Sequence, residues 1–212
     1  LLLAGKEPKN GADSPPKSQH IIMKVSSIQP TPNPNAMKFL LDRQIAASGQ
    51  SLAYGKPEDA RSDVLAQALF AIPGVETLFF CDNFVTVSMS GKADWRAVAE
   101  QVTRLLESHE PEEVTAAPAA GQAVDDDPLA RLPKGGDPEV LARINHLLDD
   151  RVRPALAGDG GGLQVMGLEG KTLYIRYQGA CGSCPSSSAG TLMAIQNLLQ
   201  SEVDEELVVA TA

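Results

Sequence analysis

An α+β protein made of two small domains is the fold class this sequence predicts, and three observations predict it. Two stretches, 23–110 and 138–212, each combine short alternating runs with longer runs whose apolar residues recur three or four apart. Each contains a tight-turn signal between two strand-like runs, Cys81-Asp82-Asn83 in the first and Glu169-Gly170-Lys171 in the second. Between them, 111–137 is rich in Ala, Pro and Asp, including Asp125-Asp126-Asp127-Pro128. Small residues, prolines and like charges do not offset the entropy of folding, so this stretch reads as a flexible linker. Residues 1–22 are rich in Lys, Pro, Ser and Gly without periodicity and read as a disordered segment.

Within the first domain, Val25 to Ile28 reads as a short strand and Thr31-Pro32-Asn33-Pro34-Asn35 as turn chemistry, with φ fixed twice by proline. Met37 to Leu41 is a strand. Asp63 opens a helix that places Val64, Leu65, Ala68, Leu69 and Ile72 on one face, and Pro73-Gly74 stops it. Val75 to Phe80 and Phe84 to Met89 are paired strands across the Cys81-Asp82-Asn83 turn. A helix from about Asp94 buries Trp95, Val98, Val102 and Leu105 or Leu106. These elements make a helix-covered sheet.

The second domain opens with Asp137-Pro138-Glu139, an N-cap followed by proline at the first helical position. Val140, Leu141, Ile144, Leu147 and Leu148 form the apolar stripe, and Pro154 is expected to end the helix. The run 158–162 reads as a flexible Asp/Gly turn. Strands over 163–168 and 172–177 form a hairpin. A helix from Ser187 to about Gln200 packs through Leu192, Ile195, Leu198 and Leu199, and Leu207-Val208-Val209 is a last strand. The order is α-β-β-α-β, with no convincing repeat between the domains.

The chain has 212 residues, 43% of them hydrophobic and 21% charged, enough for real cores in two domains. Its net charge of −9 argues against nucleic acid, whose binders carry basic surfaces, and against anionic membrane surfaces. No apolar run approaches the ~18 residues of a membrane-spanning helix. Three cysteines, two of them adjacent in one loop, are not a secreted disulfide framework. A reducing compartment, cytoplasmic or mitochondrial matrix, is expected. The first 22 residues contain Glu7 and Asp13 and no arginine, unlike a mitochondrial presequence. Leu1 to Ala4 is too short for a signal-peptide core, and Met23 is a candidate initiator.

The chemistry lies at Gly179-Ala180-Cys181-Gly182-Ser183-Cys184-Pro185-Ser186-Ser187-Ser188. Cys181 and Cys184 sit in a Gly/Ser loop between a strand and a helix start. A helix N-terminus lowers a thiol pKa and favours an anionic thiolate-ligated group. Such a pair suits a metal, an iron–sulfur cluster or a redox disulfide. Zinc and the common clusters want four protein ligands, and this chain supplies two. Cys81 lies in the other domain, where a structural role is expected. His20, His109 and His146 have no ligand spacing with the pair, and His146 belongs to a helix surface. A symmetric dimer, each chain donating Cys181 and Cys184, completes the set most economically. A site shared across a dyad is exposed and releases its cargo readily.

Two other classes compete. A thioredoxin-like thiol-disulfide oxidoreductase also places C-x-x-C between a strand and a helix. Here Ala180 stands where an aromatic would precede the first cysteine, Pro185 follows the pair, and no parallel βαβ crossover precedes it. A structural zinc-binding protein is the third reading.

The residues 179–187, with Thr191-Leu192 after them and Arg153-Pro154 and Asp159-Gly160-Gly161 before them, resemble the C-terminal NifU domain of Nfu-type iron–sulfur proteins. Gln29-Pro30-Thr31-Pro32-Asn33-Pro34-Asn35-Ala36-Met37-Lys38-Phe39 and Phe80-Cys81-Asp82-Asn83-Phe84-Val85-Thr86-Val87 are similar to the Nfu N-terminal domain. The family pattern usually has a polar residue where Gly162 stands and a small one where Cys81 stands. The resemblance implies a scaffold or carrier and not an enzyme. It implies a [4Fe–4S] cluster held by Cys181 and Cys184 between two chains and passed to apo iron–sulfur client proteins, with upstream assembly proteins as donors. The N-terminal domain is then expected to meet clients or donors, with no chemistry of its own.

Overall fold

The computed structural model describes residues 23–47, 49–91, 94–109, 136–182 and 188–212. The expected disordered segment 1–22 lies outside the described residues, as do residues 111–135 of the linker. Two separate apolar cores organise the rest.

The N-terminal domain is a five-stranded antiparallel sheet with helices on one face. Its strands are β1 (Val25–Pro30), β2 (Ala36–Leu41), β3 (Ser51–Tyr54), β4 (Val75–Cys81) and β5 (Phe84–Met89), in the order β1-β2-β5-β4-β3. The helices α1 (Val64–Phe70) and α2 (Trp95–Ser108) cover it. Asp63 caps α1 by accepting from the Ala66 amide, and Asp94 caps α2 by accepting from Arg96. β3 and a 3-10 turn over Pro57–Ala60 were not expected from the sequence. β3 is four residues at the sheet edge, too short for a readable alternation.

Pleating separates the two faces of this sheet. Phe39, Leu41, Leu78, Phe80, Val85 and Val87 point toward α1 and α2 and form the core with Leu65, Leu69, Val102 and Leu106. The opposite face has no helix. Register places Lys38 against Thr86, Thr86 against Phe79, and Phe84 against Cys81, so these five share that face. Every residue of β5 is buried, so both faces of the sheet are covered.

The C-terminal domain has helices α3 (Pro138–Arg151) and α4 (Arg153–Gly158), hairpin strands β6 (Gly161–Glu169) and β7 (Thr172–Gly179), helix α5 (Ser188–Glu202) and strand β8 (Val208–Thr211). The sheet order is β6-β7-β8, antiparallel then parallel. The return from β7 to β8 crosses over through α5. Ile144, Leu148, Leu173, Ile175, Ile195 and Leu199 form the core. Asp137 caps α3 by accepting from Glu139, with Pro138 in the first turn, as the sequence predicts.

Two expectations need correction. Pro154 does not simply end a helix; it occupies the first turn of α4, where its missing N–H costs nothing. The expected turn over 158–162 is half strand. Gly161 and Gly162 begin β6, paired with Gly179 and Gln178, because β7 runs two residues further than the apolar pattern shows.

The two domains are packed together. The helix-free face of the N-terminal sheet rests on the end of the β6–β7 hairpin and the preceding turn. Phe79 is 1% exposed yet belongs to neither core, because it fills this junction. Its ring lies so close to Gly162 and Gly179 that a Cβ at either glycine would approach it within 2.8 and 2.9 Å.

Candidate functional site

Two backbone segments build the seat of Cys181. One is the end of α4 and the start of β6, residues 157–161. The other is the end of β7, residues 179–182. The Ala180 amide donates to the Gly160 carbonyl at 3.1 Å, and Gly161 pairs with Gly179 in the hairpin register. Gly179 takes φ 61°, a left-handed conformation that favours glycine, and turns the chain out of β7. Gly182 then donates to the Gly179 carbonyl at 3.1 Å and closes the turn around Cys181.

The thiol lies directly over Gly161. A Cβ built there would stand 2.5 Å from Cys181 Sγ, so only glycine leaves room for the sulfur. Cys181 is half-buried against the C-terminal core and beside Tyr177. Burial, then the neighbouring Cys181, pushes the Tyr177 phenol up to about 12. Tyr177 Oη is buried without a hydrogen-bond partner among the described residues.

Arg153 holds this architecture from behind. Its guanidinium donates to the Leu163 carbonyl at 3.4 Å and to Asn145 Oδ1 at 2.9 Å, and it pairs with Asp149. One side chain thus ties α3, α4 and β6 together, which is the physical role of the Arg153-Pro154 motif.

Cys184, Ser183 and residues 185–187 lie outside the described residues, so the second expected ligand is assigned from the sequence alone. Helix α5 is described from Ser188, four residues beyond Cys184 in the sequence. Among the described residues no group of three or more His, Cys, Asp and Glu side chains is placed to hold a metal ion.

Other sequence candidates fall elsewhere. Cys81 sits at the end of β4 on the N-terminal sheet. Burial, then the charge of Asp82 beside it, pushes its thiol up to about 11, so it is protonated at neutral pH. His146 is exposed on α3, and His109 follows α2. His20 lies outside the described residues.

The residues that sequence reasoning missed are those that join the domains. Lys38 is only 8% exposed and donates to the carbonyls of Ala157 at 2.6 Å and Gly158 at 3.4 Å, at the C-terminal end of α4. Asn33, 3% exposed, donates through Nδ2 to the Ala180 carbonyl at 3.1 Å. One signal was available: Phe79-Phe80 places consecutive aromatics on opposite faces of a strand, which requires cover on both.

In class, this is a two-domain α+β protein whose C-terminal domain carries Cys181 at the end of a β-hairpin, with Cys184 following it in the sequence. Residues 25–113 match the scaffold protein Nfu/NifU N-terminal domain, and residues 144–210 match the NifU-like domain. The mitochondrial NFU1 iron-sulfur cluster scaffold homologs of Drosophila erecta and Drosophila persimilis are 33% and 32% identical over 181 residues. Each alignment covers 84% of this chain and 61% of the relative. The chain therefore spans about three fifths of the length of these curated relatives. A solution structure of a NifU-like protein from Saccharomyces cerevisiae is 26% identical, with TM-score 0.38, covering 49% of this chain and 89% of that one. A crystal structure of a Staphylococcus aureus protein is 28% identical, with TM-score 0.35, covering 40% of this chain and 99% of that one. With both domains matched in order, the chain belongs to the Nfu-type iron–sulfur scaffold family.

Proposed function

We propose that this protein is an iron–sulfur cluster carrier, not an enzyme, whose cargo is a [4Fe–4S] cluster held by Cys181 and Cys184 of two chains and delivered to apo iron–sulfur proteins. The observation that carries this reading is the seat of Cys181. Gly161 has no side chain where the Cys181 sulfur sits, and in the sequence Cys184 follows three positions later, ahead of helix α5. The family relationship supports the cluster as the cargo.

Two thiolates per chain against four per cluster make the holo form a homodimer. Separating the chains removes half the ligands at once, so release to a chelating acceptor is driven by ligand exchange. β7 is antiparallel to β6 and parallel to β8, and the family relationship, not the strand pairing, favours ligation over disulfide exchange. The relatives' names carry "mitochondrial", which supports the matrix alternative to a cytoplasmic location. Among the described residues no helix is long and apolar enough to cross a membrane.

Anaerobic reconstitution tests the reading. Mössbauer spectroscopy with native mass measurement is expected to find about one four-iron cluster per dimer. Holo-protein is expected to reactivate an apo [4Fe–4S] dehydratase, in the presence of a chelator, faster than free iron and sulfide do. A monomer with a complete cluster, or zinc in place of iron, refutes it.

A further inference from the structure

The N-terminal domain grips both segments that form the seat of Cys181. On the 157–161 side, Lys38 Nζ donates to the carbonyls of Ala157 and Gly158. Gly160, at φ 77°, sits so close to Thr31 and Thr86 that a Cβ there would meet each at 3.0 Å. On the 179–182 side, Asn33 Nδ2 donates to the carbonyl of Ala180, the residue before Cys181. Phe79 closes on Gly162 and Gly179 between these two grips. At the margin, Ser51 Oγ bonds Gln178 Oε1 at 3.1 Å.

The grip is built for its partner. Asn33 Oδ1 accepts from the Asn35 amide at 3.0 Å, which orients the other end of the amide toward Ala180. The Lys38 ammonium lies 4.3 Å from the centroid of the Phe84 ring and faces the carbonyl end of a helix, where a cation is favoured. Burial lowers its pKa, and these contacts offset that desolvation.

The grip is also reversible by composition. Thr86 Oγ1 and Ser88 Oγ are buried on the same sheet face with no hydrogen-bond partner among the described residues. An unsatisfied buried hydroxyl carries a desolvation cost that is recovered when water reaches it. Separation rehydrates Thr86, which packs on Gly160, and Lys38, so this junction holds less firmly than an apolar one of equal area.

We propose that the helix-free face of the N-terminal sheet is an intramolecular clamp on the seat of Cys181, with Asn33 and Lys38 as positioning residues that hold its two backbone segments. Its consequence for cargo rests on the carrier function proposed above. With the seat of Cys181 clamped, the protein retains its cluster; with it released, the cluster is lost faster. The N-terminal domain thereby sets the rate of cluster loss while contributing no ligand.

The test uses the full chain and three substitutions that leave the cores untouched. Asn33→Asp keeps the Oδ1 acceptor for Asn35 and removes the donor to Ala180. Lys38→Met keeps the aliphatic stem and removes the ammonium. Gly162→Ala places a methyl against Phe79 from the opposite side. The first two remove one or two hydrogen bonds and the third pushes Phe79 off its seat, so each is expected to speed cluster loss to a chelator roughly 3- to 10-fold at unchanged initial loading. In the apo protein each is expected to speed iodoacetamide alkylation of Cys181 and of Cys81, which shares the clamped face, read peptide by peptide. Unchanged melting of both domains separates release of the clamp from local unfolding. Lys38→Arg keeps a cation at the α4 carbonyls and is expected to recover most of the retention. Rates within experimental error of the wild type for all three substitutions overturn the clamp. Should the wild type take up no cluster, the carrier reading fails, and the alkylation rates alone decide the clamp.

Discussion

The two domains solve the same packing problem and differ in what they do with the surface left over. The N-terminal domain covers one face of a five-stranded sheet with α1 and α2 around an aromatic core of Phe39 and Phe80. The C-terminal domain packs three helices on a three-stranded sheet around Leu148, Leu173, Ile175 and Leu199. The smaller sheet ends in the loop that carries the chemistry, and the larger one has a helix-free face with Lys38, Thr86 and Phe79 in one row. Cys181 leaves β7 through Gly179, in the left-handed region, and sits over the bare Gly161. Cys81 shows the contrast: its thiol stays within the sheet, pushed up to about 11 by burial and then by Asp82.

The comparison breaks most visibly at the ligands. Cys181→Ser and Cys184→Ser are each expected to abolish stable cluster binding while circular dichroism stays native, because serine is nearly the size of cysteine but is a poor ligand for iron. Cys81→Ser is expected to leave iron and sulfide content unchanged. Loss of the cluster in Cys81→Ser would place a ligand in the N-terminal domain.

Next in size are the cores. Phe39→Ala is expected to cost about 3–5 kcal/mol and Leu173→Ala about 2–5 kcal/mol, since both side chains are fully buried. With two cores, denaturant unfolding is expected to resolve two transitions, each substitution moving only its own. Limited proteolysis is expected to cut within 111–137 and leave two folded fragments. A single transition that both substitutions shift equally would mean that the junction welds the domains into one cooperative unit.

Gly161→Ala sharpens the claim that the seat is shaped for sulfur. A methyl there competes with Cys181 Sγ for the same space. Cluster loading is expected to fall severalfold, while the melting midpoint moves less than in Leu173→Ala. Equal loading to wild type would show that the thiol has room to move aside.

The smallest effects belong to the helix caps. Asp63→Ala and Asp137→Ala each remove a side-chain acceptor at a helix start, worth about 1 kcal/mol. Asp63 also accepts from Tyr54 Oη at 2.7 Å, tying β3 to α1, so its loss is expected to be the larger of the two in urea midpoints.

Much of the fold was legible because its signals are local. Asp63, Asp94 and Asp137 announce helix starts, Cys81-Asp82-Asn83 and Glu169-Gly170-Lys171 announce hairpins, and the apolar stripes of α2 and α3 name their core residues. The candidate site was legible for the same reason: two cysteines in a Gly/Ser loop are unusual at any length scale. β3 escaped because four edge residues carry no period. Gly161 and Gly162 escaped because a glycine in a strand has no side chain to alternate. Pro154 was misread because proline both stops one helix and starts the next.

By itself the sequence determined two α+β domains and their order, and it singled out Cys181 and Cys184 as the candidate ligands. Each of these follows from composition or from spacing along the chain. Tertiary structure alone decided that Gly161 yields its space to Cys181 Sγ, that Arg153 ties α3, α4 and β6, and that Asn33 and Lys38 reach backbone carbonyls 147 and 119 positions away. A carbonyl acceptor has no residue type, so its partner leaves no mark at the receiving position. Only the folded chain, by bringing the face of one sheet against the end of another, reveals which lysine and which asparagine are spent there.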